Sequence, residues 1–209
     1  MKEQFLKKYQ PKEYKDFIFG NKYISLLKSL IEMDNLNILL IGDNGCGKTS
    51  LLYATINEYY KTKKIPQHNV MIINNVKEQG IHYYRNQVKT FCRTPSTIHN
   101  KKKIIILDDI DFIHKQSQQV FRNCIDKYSH RVNFIASCNN IQKVIDSIQS
   151  RCTMIKIKLL EKEKLKKILN NIIKKENLNI TEGSKEIILD ICNGSIRLLV
   201  NYLEKFKLL

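Results

Sequence analysis

The chain has 209 residues, 43% of them hydrophobic, which suits one large domain or one domain followed by a small one. Its 36 Lys and Arg residues outweigh 20 Asp and Glu, for a formal net charge of +16. No apolar run approaches about 18 residues and the start, MKEQFLKKYQ, has no apolar core, so we predict neither a membrane span nor a signal peptide.

The positive charge favours a polyanionic partner, with nucleic acid as the first candidate. The alternative is a Lys-rich coding bias that only keeps the protein in solution, since Ile, Asn and Lys are plentiful throughout. The basic clusters KTKK (61–64) and KKK (101–103) are interpreted as solvated loop ends.

The six cysteines are interpreted as free thiols, most of them buried, in a reducing compartment. No two of them form a CxxC pair, so a zinc site is not expected. They are Cys46, Cys92, Cys124, Cys138, Cys152 and Cys192.

Five short apolar runs predict buried strands. Several are continuous rather than alternating and are separated by helical stretches, which indicates a parallel sheet covered by helices on both faces. We therefore predict an α/β, doubly wound domain over residues 1–158. The runs are LNILLIG (36–42), NVMIIN (69–74), KIIILDD (103–109), VNFIASC (132–138) and TMIKIK (153–158).

Between the first run and the next helix lies GDNGCGKT (42–49), which fits G-x-x-x-x-G-K-[ST] in full. The glycines let backbone N–H groups turn toward phosphate oxygens, and the helix N-terminus adds a favourable dipole. Lys48 is expected to reach the β- and γ-phosphates of ATP, and the Thr49 hydroxyl to hold Mg²⁺.

Two acids end the third run. Asp108 is interpreted as the Walker-B carboxylate that positions Mg²⁺, and Asp109 as the general base for the attacking water. Acids at a strand end can also be simple turn formers.

After residue 159 the periodicity becomes helical. One face of the first segment carries Leu165, Ile168, Leu169, Ile172 and Ile173, and two more helical segments follow. We predict a small helical lid domain over residues 159–209.

Five segments, in order along the chain, match the pattern of one family. They are KKYQPKEYKDFIFG, INNVKEQGIHYYRNQVKTF, ILDDIDFIHKQSQQVFRNCIDKYSHRVNFIASCNN, IQSRC and NGSIRLLVNYL. Together they resemble the small subunits of AAA+ clamp loaders, as in replication factor C, over nearly the whole chain.

The resemblance implies which residues contact ATP. Leu6 and Phe19 would lie near the base, Asn139 would be sensor 1, and Arg197 in the last helix would be sensor 2. The phosphates would be held by Gly42, Asp43, Asn44, Gly45, Cys46, Gly47, Lys48, Thr49 and Ser50.

Arg151, in IQSRC, resembles the family's arginine finger, which enters the ATP site of the neighbouring subunit. Such a finger stabilises charge on the transferred phosphoryl group. We therefore expect Arg151 to have no partner in its own chain and the ATP sites to lie at subunit interfaces. The alternative is a surface arginine at a strand edge.

The resemblance also implies a DNA surface, in which basic side chains bind backbone phosphates without reading sequence. Arg85 and Lys89, one helical turn apart, would lie on it together with Arg122. Gln118 matches a glutamine thought to couple DNA contact to the ATP site.

The chain departs from the family in several places. The second Walker-B acid is Asp109 instead of Glu, the KYRP arginine is Gln10, and the ASD piece reads NVK. The helical collar domain of the family is not found in these 209 residues, which suggests a fragment or a protein that assembles differently.

The resulting prediction is an ATPase, using ATP and Mg²⁺, that opens and loads a sliding clamp onto primed DNA. Its partners would be other loader subunits, the clamp and a primer junction, in the nucleus or in a viral replication compartment. Two alternatives remain: a catalytically weak subunit that donates Arg151 in trans, and another AAA+ replication initiator or helicase loader.

Overall fold

The structure is a computed structural model that describes residues 4–18, 21–62, 65–74 and 84–208. Phe19, predicted to lie near the base, falls outside the described residues, as does the segment 75–83. No helix in the described part of the chain is both long and apolar enough to cross a membrane.

A five-stranded parallel sheet forms the centre of the described fold, with the strand order β2-β3-β4-β1-β5. This confirms the predicted α/β class, with each strand inside its predicted run. The strands are β1 Ile38–Ile41, β2 Val70–Asn74, β3 Lys103–Asp108, β4 Val132–Cys138 and β5 Thr153–Lys156. Because all pairs are parallel, the carboxyl ends of the strands meet at one edge of the sheet.

Helices cover both faces of this sheet and continue beyond it. Short 3₁₀ turns occur at Tyr14–Asp16, Ile110–Phe112 and Ile141–Lys143, and a π-helical turn, Tyr84–Val88, leads into α4. The α-helices are α1 Phe5–Lys8, α2 Asn21–Glu32, α3 Lys48–Tyr60, α4 Lys89–Arg93, α5 Lys115–Tyr128, α6 Asp146–Gln149, α7 Lys162–Glu176, α8 Glu182–Cys192 and α9 Ile196–Leu208.

The two faces of the sheet explain the continuous apolar runs. Ile104 and Ile106 of β3 pack in the core beneath α2 and α3, whereas Ile105 and Leu107 pack in the core beneath α4 and α5. A strand buried on both faces needs apolar residues at every position. The prediction that most cysteines are buried free thiols is confirmed, because all six are free, five are buried and Cys152 is partly buried.

A third core joins the helices α7, α8 and α9, with Leu165, Leu169 and Ile172 buried and Ile168 and Ile173 packed against it. The predicted apolar face is thus observed. Phe5 of α1 is buried in the same core, so the N-terminal helix packs on the lid. The predicted domain boundary between residues 158 and 159 stays a prediction. Helix α1, which precedes this boundary in the sequence, packs on the helices that follow it.

A buried carboxylate ties α1 to the lid. The Glu176 side chain is only 1% exposed and accepts hydrogen bonds from the Lys8 ammonium at 2.5 Å, from the Tyr9 hydroxyl and from the Lys207 ammonium. Together these donors lower the pKa of Glu176 from its ordinary value of 4.5 to about 2, the bond from Lys207 contributing most. The charge of Glu176 therefore stabilises the folded state.

The Glu176→Gln variant is expected to unfold at a lower temperature than the wild type at pH 7, because Lys8 and Lys207 lose their counter-charge. Because the folded-state pKa is depressed, this contribution is complete above pH 4.5 and is lost as the pH falls toward about 2. The melting temperatures of variant and wild type should converge over that window. Glu163→Gln, at an exposed position of α7, is the control, and an equal loss there would contradict the prediction.

The cluster KKK is not the solvated loop end that was predicted. Lys103 is the first residue of β3 and is 3% exposed, with its ammonium donating to the Phe91 carbonyl at 3.1 Å and the Thr94 hydroxyl at 2.5 Å. The Lys102 ammonium donates to the Asp34 carbonyl at 2.9 Å. The prediction is wrong for these two because the end of α4 supplies acceptors for Lys103 and the turn at Asp34 supplies one for Lys102. In the other cluster, KTKK, residues 63 and 64 lie outside the described residues.

Candidate nucleotide-binding site

The loop 42–47 joins β1 to α3, which is the context that the P-loop motif requires. Gly45 and Gly47 have φ angles of 82° and 99°, in the region that favours glycine. A Cβ at Gly45 would lie 2.2 Å from the Ser195 hydroxyl oxygen, and one at Gly42 would lie 2.5 Å from the Ile157 carbonyl oxygen. Gly45 is therefore required by both its backbone conformation and close packing, Gly47 by its conformation and Gly42 by close packing.

Lys48 lies in the centre of the loop and is 6% exposed. Its ammonium donates to the Gly42 carbonyl at 2.8 Å, the Asp43 carbonyl at 3.1 Å and the Asn139 amide oxygen at 2.7 Å. A buried ammonium needs such acceptors. The fold thus brings together the P-loop lysine and the predicted sensor 1, which are 91 residues apart in the sequence.

The predicted metal ligands lie beside each other. The Thr49 hydroxyl is 3.2 and 3.3 Å from the two carboxylate oxygens of Asp108. A hydroxyl and a carboxylate are hard oxygen ligands of the kind that Mg²⁺ prefers, so these residues fit the predicted ion. Ser137 of β4 donates its hydroxyl proton to Asp108 at 2.5 Å and accepts the Asp109 backbone N–H at 2.9 Å. Sequence analysis missed Ser137, although β4 neighbours β3.

Asp109 has a left-handed backbone, with φ 54° and ψ 53°, immediately after β3. Its side chain lines a cavity of about 260 Å³ together with Lys48 and Arg197. Burial and the neighbouring charge of Asp108 raise the pKa of Asp109. A carboxylate that binds protons more strongly suits the role of general base.

The lid closes this small cavity from the opposite side. The Ile196 backbone N–H donates to the Gly45 carbonyl at 3.0 Å, so α9 begins directly on the P-loop. Arg197 lines the cavity, and its positive charge lowers the pKa of Asp109, partly offsetting the effect of burial. Leu6, Asn44, Thr49 and Ser50 line the same cavity, whereas the Cys46 side chain packs in the core beneath the loop.

A second cavity, of about 510 Å³, adjoins the loop at Gly47 and Ser50. Its walls come from the N-terminal segment, including Tyr9 and Phe17, and from the lid, including Asn171 and Val200. It has room for a base and a sugar, but Leu6, which was predicted to lie near the base, lines the smaller cavity and not this one.

A third acid of DDID also belongs to this region. The Asp111 carboxylate accepts the backbone N–H groups of Asn139 at 3.3 Å and Asn140 at 3.1 Å. It thereby holds the turn that carries Asn139, the predicted sensor 1. Sequence analysis assigned Asp111 no role, although its place between Walker B and sensor 1 was visible.

Arg151 has a partner in its own chain, so the prediction that it has none is wrong. Its Nε donates to the Asp126 carboxylate at 2.5 Å and its Nη1 to the Ser147 carbonyl at 2.8 Å. Asp126 lies 25 residues away, and the packing of α5 beside α6 brings it opposite Arg151. Among the described residues, Arg151 is not one of those that line the two cavities beside the P-loop.

The predicted DNA-contacting residues divide into two groups. Arg85 and Lys89 line a groove of about 440 Å³ between α5 and the helical segment 84–93. Arg122 lies outside this groove, with its Nε 3.3 Å from Asp126 and its Nη1 donating to Asn123 at 3.0 Å. Asn123 lines the groove, so Arg122 stands at its edge.

Gln118 of α5 is buried and makes hydrogen bonds with the backbone of two segments. Its amide nitrogen donates to the carbonyls of Ile113 at 2.9 Å and Lys143 at 3.0 Å, and its oxygen accepts the Ile145 N–H at 2.9 Å. Gln118 thus joins α5 to the segments that follow the strands β3 and β4.

Comparison with known proteins agrees with this fold. Residues 38–159 match the family described as "ATPase family associated with various cellular activities (AAA)". The chain therefore belongs to the AAA family of ATPases. The fold is also that of RuvB from Thermotoga maritima, a Holliday junction branch migration motor, with a TM-score of 0.71, 18% identity, and coverage of 97% of this chain and 65% of that one.

Within this family the chain is similar to replication factor C proteins. It is 32% identical over 203 residues to a replication factor C small subunit from Archaeoglobus fulgidus, covering 97% of this chain and 63% of that protein. It is 28% identical to human replication factor C subunit 5, covering 96% and 59%. The resemblance predicted from the motifs is confirmed, and the chain spans less than two thirds of the length of these relatives.

Proposed function

We propose that this chain binds and hydrolyses ATP as a subunit of a DNA sliding-clamp loader. The observation that carries the proposal is the 2.7 Å contact between Lys48 and Asn139, which unites P-loop and sensor 1 in one site. The site lies on a chain that is similar to replication factor C small subunits over 97% of its length. Arg197, Asp109 and the lid complete the same cavity.

ATP would lie across the two cavities, with its phosphates at Gly42–Ser50 and its base beside the N-terminal segment. Thr49 and Asp108 would hold Mg²⁺, since they provide adjacent hard oxygen ligands. Asn139 and Arg197 would contact the γ-phosphate, and Asp109 would accept a proton from the attacking water. Bound Mg²⁺ would neutralise charge that develops on the phosphates.

The partners that we propose are other loader subunits, a sliding clamp and a primer junction in DNA. The groove with Arg85 and Lys89 supports DNA contact, as does the net charge of +16. Six free cysteines support a reducing compartment inside the cell, either the nucleus or a viral replication compartment.

The test is the ATPase rate per subunit as a function of protein concentration, with and without primed DNA. A site completed by a neighbouring chain predicts a rate that rises with concentration and rises again with primed DNA. A chain that binds ATP but hydrolyses none at any concentration, with or without DNA, would exclude the hydrolytic role.

The alternative of a catalytically weak subunit is favoured by one observation: the base is Asp109, one methylene shorter than Glu. In Asp109→Glu we expect a several-fold higher kcat with an unchanged KM for ATP, because the carboxylate reaches further into the cavity. Asp109→Asn, which cannot accept the proton, should lose hydrolysis but retain ATP binding. Steady-state kinetics and titration with a fluorescent ATP analogue measure both. Equal activity of wild type and Asp109→Asn would show that Asp109 is not the base.

A further inference from the structure

One carboxylate on α5 lies between two arginines to which different functions are proposed. Asp126 contacts Arg151 Nε through Oδ1 at 2.5 Å and Arg122 Nε through Oδ2 at 3.3 Å. All three side chains are partly exposed, although the Nε atom of Arg122 is itself buried. Asp126 therefore connects the proposed arginine finger with a proposed DNA contact.

The charges at this cluster do not balance. A single carboxylate faces two guanidinium groups: Oδ1 accepts a hydrogen bond from Arg151, and Oδ2 makes an ionic contact with Arg122 that is not a hydrogen bond. A carboxylate holds an arginine most firmly when two parallel N–H groups meet both oxygens, because this fixes the plane of the guanidinium group. While the charge of Arg122 lies beside Oδ2, Arg151 is hydrogen-bonded to only one oxygen of Asp126 and to the Ser147 carbonyl.

Arg122 stands where a DNA phosphate could remove it from Asp126. Its Nη1 already donates to Asn123, which lines the groove with Arg85 and Lys89. A phosphate offers a stronger set of acceptors than one shared carboxylate oxygen. When Arg122 turns to such a phosphate, both oxygens of Asp126 become available to Arg151.

We propose that Asp126 is the positioning residue that orients Arg151 toward the ATP of a neighbouring chain. Until DNA binds, Arg122 competes with Arg151 for the carboxylate of Asp126. The inference rests on the proposed function, because it needs Arg151 to act in trans. It assigns to Asp126 a role in transmitting DNA binding at the groove to hydrolysis at the subunit interface.

The experiment compares Asp126→Asn, Arg122→Gln, Arg151→Ala and the double variant Asp126→Asn/Arg151→Ala as purified full chains. Glu186→Gln is the matched control, because Glu186 also bridges two cations, Lys162 at 3.1 Å and Lys166 at 3.2 Å, but lies in the lid. ATPase rates are measured at high protein concentration, without DNA and with saturating primed DNA. Binding of a fluorescent ATP analogue to dilute protein shows whether each variant is folded.

For Asp126→Asn we expect a fall in kcat of about tenfold or more with KM for ATP unchanged, since a misplaced group loses much of its catalytic effect. The double variant should be no slower than Arg151→Ala alone, because Asp126 acts through Arg151. Arg122→Gln should raise the rate without DNA and reduce the further stimulation by DNA, a change that loss of a structural contact would not produce. Glu186→Gln should match the wild type.

Two outcomes would overturn the inference alone: wild-type kinetics of Asp126→Asn while Arg151→Ala is inactive, or a lower DNA-free rate in Arg122→Gln. If Arg151→Ala itself keeps the wild-type rate at every concentration, the proposed arginine finger fails and this inference fails with it. The two failures are therefore distinguishable from the same set of variants.

Discussion

The Lys48→Ala variant is expected to lose ATP binding and to hydrolyse ATP more slowly by a factor on the order of 10² or more. The substitution removes the ammonium at the centre of the P-loop and leaves the carbonyls of Gly42 and Asp43 and the Asn139 amide oxygen without their donor. The phosphates would then face these oxygens with no cation between them. Titration with a fluorescent ATP analogue measures the loss of binding directly.

The control for this variant is Lys167→Ala, at an exposed position of α7. It has the same change of charge but lies away from the P-loop, so its ATP affinity and rate should equal those of the wild type. Circular dichroism shows whether Lys48→Ala keeps its secondary structure. A folded Lys48→Ala chain with wild-type ATP affinity would contradict the assignment of this loop as the phosphate site.

The Arg151→Ala variant is expected to bind ATP normally but to lose the rate that depends on protein concentration. Arginine fingers are worth about 10³–10⁵ in rate, so this loss should approach the limit of detection. Binding should be unaffected because Arg151 does not line either cavity beside the P-loop in the described structure. Rate against concentration and ATP affinity at low concentration separate the two effects.

Mixing two inactive variants tests whether Arg151 acts between chains. Lys48→Ala lacks its own phosphate site but carries Arg151, whereas Arg151→Ala has an intact site and lacks the finger. In a heterologous assembly with random placement, an equal mixture should recover about one quarter of the wild-type rate. Size-exclusion chromatography confirms that the two chains associate, and an associated mixture that stays inactive would contradict action in trans.

The local patterns of the sequence determined the class of fold and the centre of the site. Apolar runs without alternation predicted a sheet buried on both faces, and all five runs form strands of one parallel sheet. Gly42–Thr49 and Asp108 could be assigned from the sequence because their chemistry depends on neighbours in the chain and on the ends of strands. Asn139 was predicted as sensor 1 from the family resemblance, and the structure places it directly after β4, beside Lys48.

Contacts between distant elements were decided only by the tertiary structure. Asp126 meets Arg151 because α5 packs beside α6, and Glu176 meets Lys8 because α1 packs on the lid. Lys103 is buried because Phe91 and Thr94 supply acceptors. No local pattern encodes these pairs, since a long charged side chain is compatible with solvent or with a partner. Whether such a side chain faces solvent or a partner depends on how the helices pack, and the packing of the helices depends on the whole core.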